Sequence, residues 1–186
     1  MNISALLLAG GQSRRMGEDK ATLLFEGQPL WQVQLEVLRK LKPAEILVSA
    51  RKDPSWRPSD VRFVADDAPS RGPLSGIAAA LAKLQTKHLL TLGIDMPSMT
   101  PSYLHALVEE SRPGSGVVPT IDGRAEPLAA IYPAEAAAYF TAALSGADFS
   151  LQNVIRQLAS AGKLRAIQVR KEDEKLFRNL NKPADW

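Results

Sequence analysis

Arg14, Arg15 and Lys20 follow closely on the paired glycines Gly10 and Gly11, in the stretch Leu6 to Ala21 that reads LLLAGGQSRRMGEDKA. Two glycines let a backbone turn and approach a ligand without a Cβ clash, so successive N–H groups can converge on one anion. The arginines offer planar forks, and the lysine a mobile point charge suited to neutralising a leaving group. An apolar run passing into such a turn is a way to hold a polyphosphate. The loop fits neither G-x-x-x-x-G-K-[ST] nor G-x-G-x-x-G. A basic surface turn is the bland alternative.

Carboxylates supply the other half of such chemistry. Asp95 stands in Ile94-Asp95-Met96-Pro97, just after the apolar run His88 to Gly93. If that run is a strand of an open α/β sheet, Asp95 lies where ligands bind, beyond the carboxyl ends of the strands. There it could share Mg²⁺ with substrate phosphates; a loop or helix-capping aspartate is the alternative. Asp66 and Asp67 form a second pair after Val61 to Ala65. Ser49 closes Glu45 to Ala50 and offers a hydroxyl, or is a plain strand-end residue. Arg124, Glu126, Asn179 and Asn181 are polar groups further along, for which sheet-edge charge and Asx turns are the competing explanations. His88 and His105 stand apart from any triad or metal cluster, and Met16 and Met96 read as filling residues.

The elements that must position these groups alternate. Residues 3 to 9 read as a buried strand ended by glycine. Pro29 opens a helix with Leu30, Leu35, Leu38 and Leu41 at helical spacing, and Pro43 closes it. Glu45 to Ala50, Val61 to Ala65 and His88 to Gly93 read as strands, with a helix from Gly72-Pro73 to about Leu84 and another capped by Thr100-Pro101. Strands alternating with helices indicate a doubly wound, mostly parallel sheet. Later, Val117 to Ile121 and Ala125 to Tyr132 read as apolar runs joined tightly at Asp122-Gly123. Pro133 starts a helix to about Leu144, Ser150 another that stops at Gly162, Leu164 to Val169 is a strand, and Leu176 to Asn181 a short one.

The 186 residues suit one core and one domain. A 45% hydrophobic and 23% charged chain has ordinary globular composition. No apolar segment approaches a membrane span, and the N-terminal run lacks the basic flank of a secretory signal; a cytoplasmic protein is expected. Without cysteine there is no disulfide, thiolate metal site or cysteine nucleophile. The net charge of +3 is scattered, which favours anionic small molecules over nucleic acid.

The segment Leu8 to Lys20, LAGGQSRRMGEDK, closely resembles the signature L-A-G-G-x-S/A-x-R-M-G-x-D-K of the molybdenum cofactor guanylyltransferase family. The resemblance implies a single Rossmann-like domain of the nucleotide-diphospho-sugar transferase type. It implies a Mg²⁺-dependent transfer of GMP from GTP to the terminal phosphate of molybdopterin, with pyrophosphate leaving. On it, Leu8, Ala9, Gly10, Gly11, Lys20, Ser49, Asp66, Gly72, Pro73, Leu74, Gly76 and Asp95 bind the nucleotide. Gly72-Pro73-Leu74-Ser75-Gly76 matches a G-P-L-A/S-G segment that lines the base pocket, where small residues let backbone approach a planar ring. Arg15, Lys20 and Asp95 carry catalysis, Asp95 as the metal ligand. Ser49 departs from the asparagine usual in the family.

Arg124 and Glu126, with Asn179 and Asn181 of a closing N-x-N-x-P motif, are implied for the acceptor, so that residues after about 117 supply the acceptor side. The resemblance implies a cytoplasmic monomer that meets molybdoenzymes or cofactor-delivery proteins only transiently, and no nucleic acid or membrane. Cytidylyltransferases resemble it but read L-A-A-G and lack G-P-L-x-G. Transfer onto a sugar phosphate and a catalytically silent GTP-binding regulator are further alternatives; the closing motif argues against the first, and Lys20, Asp66 and Asp95 against the second.

Overall fold

An unbroken apolar run makes a strand that is buried on both faces, and β1 (Ile3–Leu8) is buried at every position. Its side chains alternate: Ile3, Ala5 and Leu7 enter one apolar cluster, Leu6 and Leu8 the other. The computed structural model describes residues 2–10, 19–66 and 69–180. After β1 come a short hairpin of β2 (Leu24–Phe25) and β3 (Gln28–Pro29), then α1 (Leu30–Lys40), β4 (Glu45–Ala50), β5 (Arg62–Ala65), α2 (Pro73–Ala82), β6 (His88–Gly93) and α3 (Pro101–Glu110). The remainder is β7 (Gly116–Ile121), β8 (Arg124–Ala125), β9 (Ile131–Pro133), α4 (Ala137–Ser145), α5 (Leu151–Ser160) and β10 (Leu164–Gln168).

The sheet runs β10-β7-β9-β6-β1-β4-β5, with β8 paired to β7. Strands β5, β4, β1 and β6 are parallel neighbours, so their carboxyl ends share one edge. Only β8 and β9 run against their neighbours. On one face lie Leu30, Leu35 and Leu38 of α1 and Leu104, Leu107 and Val108 of α3. On the other lie Leu74 and Ile77 of α2, Phe140 of α4, and Val154, Ile155 and Leu158 of α5. The doubly wound, mostly parallel reading is what the chain forms. Asp122 and Gly123 make the tight connection with φ of 48° and 76°, the left-handed pair that a twisted hairpin requires.

Two segments differ from the sequence expectation. The run Ala125 to Tyr132 is not one strand: β8 ends before Glu126-Pro127, where proline has no N–H to give a ladder, and pairing resumes only at Ile131. Residues Lys171–Phe177 form a 3₁₀ turn, where a strand was expected from Leu176. Glu172, Asp173 and Glu174 favour its N-terminus. Phe177 is buried edge-on against Tyr103, centroids 5.3 Å apart, so an apolar pair here means docking of a turn.

Candidate active site

Leu8 and Ala9 leave the sheet buried, with the Ala9 N–H donating to the Ser49 carbonyl at 2.9 Å. A Cβ on Gly10 would stand 3.1 Å from Asp66 Oδ2, so the loop starts hard against that carboxylate. Gly11 and Arg15 lie outside the described residues, as do Asp67 and Asn181. At the loop's exit Asp19 uses both carboxylate oxygens. Oδ1 accepts from the Ala21 N–H at 3.0 Å, capping the turn Lys20–Thr22; Oδ2 accepts from Trp56 Nε1 at 2.9 Å. Trp56 in turn stacks on Trp31 of α1, centroids 5.5 Å apart and 13° from parallel. Lys20 Nζ then reaches Asp95 Oδ2 at 3.6 Å, with side chains only 13% and 21% exposed.

Asp66, at the end of β5, is held by hydroxyls. Ser49 donates to Oδ1 and Ser70 to Oδ2, the latter at 3.3 Å. Ser70 Oγ also accepts from the Gly72 N–H, and Ser75 Oγ from the Arg71 N–H at 2.8 Å, so the network runs on into the start of α2. Gly72 has φ of 66° and Pro73 is exposed, whereas Leu74 is fully buried. Gly76 faces inward as well: a Cβ there would be 2.9 Å from Leu8 Cδ2 and 3.1 Å from Ser49 Cβ. Within G-P-L-S-G, then, the first two residues face outward and Leu74 and Gly76 let α2 settle on β1 and β4.

Asp95 sits in a turn after β6 in which the Met96 N–H donates to the Gly93 carbonyl at 3.4 Å. The Asp95 carbonyl accepts from the Leu180 N–H at 3.0 Å, bringing the chain beside Asn179 to this turn. The Gly93 N–H donates to the Leu128 carbonyl at 2.9 Å, which ties down the segment carrying Glu126. Glu126 is half-buried, and burial pushes its carboxyl above the usual range; Arg124 opposes this and the Asp95 charge adds to it. Arg124 and Asn179 are exposed.

The structure therefore brings together Gly10, Ser49 and Asp66, and separately Lys20 and Asp95, with Glu126 in electrostatic reach of the second pair. Reasoning from sequence missed Ser70, Trp56 and Gln34. Only Gln34 left a signal, a polar residue at the helical position between Leu30 and Leu38. Among the described residues no three His, Cys, Asp or Glu side chains gather to hold a metal alone. A single carboxylate facing a cation suits a hard ion that completes its shell from phosphate oxygens and water.

The family model of the MobA-like NTP transferase domain matches residues 5–163. The chain belongs to that family. Like its other members it is a nucleotidyltransferase. It is 35% identical over 190 residues to a probable molybdenum cofactor guanylyltransferase of Opitutus terrae, covering 99% of this chain and 94% of that one. It is 33% identical over 187 residues to the molybdenum cofactor guanylyltransferase of Pseudomonas fluorescens, covering 97% and 90%. The crystal structure of molybdopterin-guanine dinucleotide biosynthesis protein A from Archaeoglobus fulgidus superposes with a TM-score of 0.77 at 26% identity, over 100% of this chain and 94% of that one. A 4-diphosphocytidyl-2C-methyl-D-erythritol synthase from Anaerococcus prevotii shares the fold, TM-score 0.76 at 14% identity, over 99% and 92%. No helix among the described residues is long and apolar enough to cross a membrane.

Proposed function

We propose that this nucleotidyltransferase moves GMP from GTP to the terminal phosphate of molybdopterin, giving the guanine dinucleotide form of the molybdenum cofactor. The observation that carries it is the Lys20–Asp95 pair at the carboxyl edge of β1 and β6, in a chain similar along nearly its whole length to guanylyltransferases of that cofactor. A terminal phosphate oxygen of molybdopterin attacks the α-phosphorus of GTP; a new P–O bond forms and the bond to the β-phosphate oxygen breaks, releasing pyrophosphate. The attacking phosphate is already ionised, so no general base is required. Alignment and charge neutralisation are what remains for the protein.

The Ala9 N–H is spent on the Ser49 carbonyl, so the N–H groups of Gly10 and Gly11 are left to hold the triphosphate, while Lys20 and Arg15 offset charge appearing on the leaving pyrophosphate. Asp66, buttressed by Ser49, sits beside Gly10 on the nucleotide side with Gly72 and Pro73; Leu74 and Gly76 form the packed floor behind. Asp95 would hold Mg²⁺, which would supply charge neutralisation at the phosphates. Residues after about 117, with Arg124, Glu126, Asn179 and Asn181, receive the pterin phosphate. One chain carries both sides, which fits a monomer, and a GTP-dependent reaction fits the cytoplasm.

Calorimetric titration with GTP, CTP, ATP and UTP, each with and without Mg²⁺, tests the reading. Selective GTP binding strengthened by Mg²⁺ is expected, followed by pyrophosphate release when molybdopterin is added. A preference for CTP would reassign the donor, and binding of GTP without pyrophosphate release would leave a regulator.

A further inference from the structure

Gln34 is wholly buried on the face of α1 that otherwise presents Leu30, Leu35 and Leu38 to the core. Its amide Nε2 donates to the Gly93 carbonyl at 3.3 Å, and among the described residues its buried Oε1 has no hydrogen-bond partner. A buried amide with half of its polar atoms unpaired costs stability. A leucine at that position would fill the same space without the cost. What the amide does gain is a grip on Gly93, two residues before Asp95; among the described residues the Gly93 carbonyl otherwise accepts only a long 3.4 Å bond from the Met96 N–H. Gly93 also lies directly under the Asp95 side chain: a Cβ there would be 2.8 Å from Asp95 Oδ1.

We propose that Gln34 is a positioning residue, whose amide fixes the Gly93–Met96 turn and so aims the Asp95 carboxylate at the cation and phosphates. The catalytic consequence rests on the guanylyl-transfer reading; the effect on the turn does not. Proteins retain locally unfavourable groups where a site needs them, and removing one commonly raises stability while lowering function.

The test uses Gln34→Leu and Gln34→Met in the whole chain, since methionine adapts to the cavity if leucine does not. In ligand-free protein, the Met96 amide is expected to exchange with deuterium faster in both variants, while Tm is unchanged or raised. With Mg²⁺ and GTP, the ligand-induced rise in Tm should shrink. Turnover should fall roughly ten- to a hundredfold, the scale on which a slightly misplaced group acts, with the KM for the acceptor unchanged. Wild-type exchange at Met96 together with wild-type turnover would overturn the proposal, and so would a lowered Tm in both variants, which would make Gln34 a packing residue. If wild-type protein forms no product from GTP, the functional reading falls and Met96 exchange still decides the role of Gln34.

Discussion

Ser49→Ala isolates one hydroxyl. The Ser49 Oγ and Cβ both lie against the place a Gly76 Cβ would take; alanine keeps the carbon, so packing between β4 and α2 loses only the space of the oxygen. What is lost is the hydrogen bond to Asp66 Oδ1, leaving that carboxylate with Ser70 at 3.3 Å. A hydrogen bond to a charged group contributes about 1.5–3 kcal/mol, and Ser49 is only 1% exposed, so water cannot replace it from that side. A loss of about 2 kcal/mol corresponds to a fall in Tm of roughly 4–8 °C for a domain of this size. The assay is denaturant unfolding of wild type, Ser49→Ala, Asp66→Asn and the double variant. If the hydroxyl acts through Asp66, the two losses are non-additive, with a coupling of about 1–2 kcal/mol; GTP affinity should be non-additive in the same sense. Losses that add to within about 0.5 kcal/mol, or a Ser49→Ala effect on GTP binding that persists in the Asp66→Asn background, would refute the reasoning and put Ser49 on the nucleotide itself. Ser49→Asn, which restores the family's usual residue, should instead crowd Gly76 at an overpacking cost of about 1–3 kcal/mol.

Asp95→Asn should lower turnover by about 10²–10³, the scale of losing one preorganised electrostatic partner, and lower stability by about 1–3 kcal/mol because one charge of a largely buried pair is withdrawn from Lys20; steady-state kinetics with wild-type rates would remove the metal role. Glu126→Gln should raise stability near neutral pH. The raised carboxyl favours the folded state below the ordinary carboxylate range and loses that advantage as pH rises through the folded value, so thermal melts should show the variant's gain at about pH 8 and none below about pH 4. Trp56→Phe keeps the stack on Trp31 and loses the N–H donated to Asp19. Melts should shift by less than about 1 kcal/mol equivalent for so exposed a bond, while turnover drops severalfold because Asp19 caps the turn that begins with Lys20; unchanged turnover would separate the tryptophans from the site.

The parallel half of the sheet was legible because each strand there is a continuous apolar run closed by a turn residue. Glu45–Ala50 and His88–Gly93 have in the structure the limits read from sequence. Helix starts at Pro73 and Pro101 were legible for the same local reason. The antiparallel β9 was not, since nothing within Ile131–Pro133 specifies that it inserts between β6 and β7. The 3₁₀ turn at Lys171–Phe177 was hidden because two adjacent apolar residues look alike in a strand and in a docked turn. Within the site, the residue types of Lys20, Asp66 and Asp95 announced charge chemistry, but the partners did not. That Ser49 serves Asp66, or that Gln34 reaches Gly93 from 59 positions away, depends on contacts between distant segments.

The turn after β6 bears on how Asp95 would meet an anion. Leu8 of β1 accepts from the Ile94 N–H, Leu128 accepts from the Gly93 N–H, Gln34 donates to the Gly93 carbonyl, and Leu180 donates to the Asp95 carbonyl. With the backbone held from four directions, the Asp95 carboxylate can move only by rotating its own side chain. Its ammonium neighbour Lys20 matches its charge but leaves little over, and Glu126 adds negative potential nearby. A triphosphate approaching Lys20 would meet the largely buried Asp95 carboxylate, where repulsion is weakly screened. Mg²⁺ held by Asp95 would supply the positive charge that offsets this repulsion. GTP alone should therefore bind more weakly than GTP with Mg²⁺, and the affinity ratio between them should collapse in Asp95→Asn.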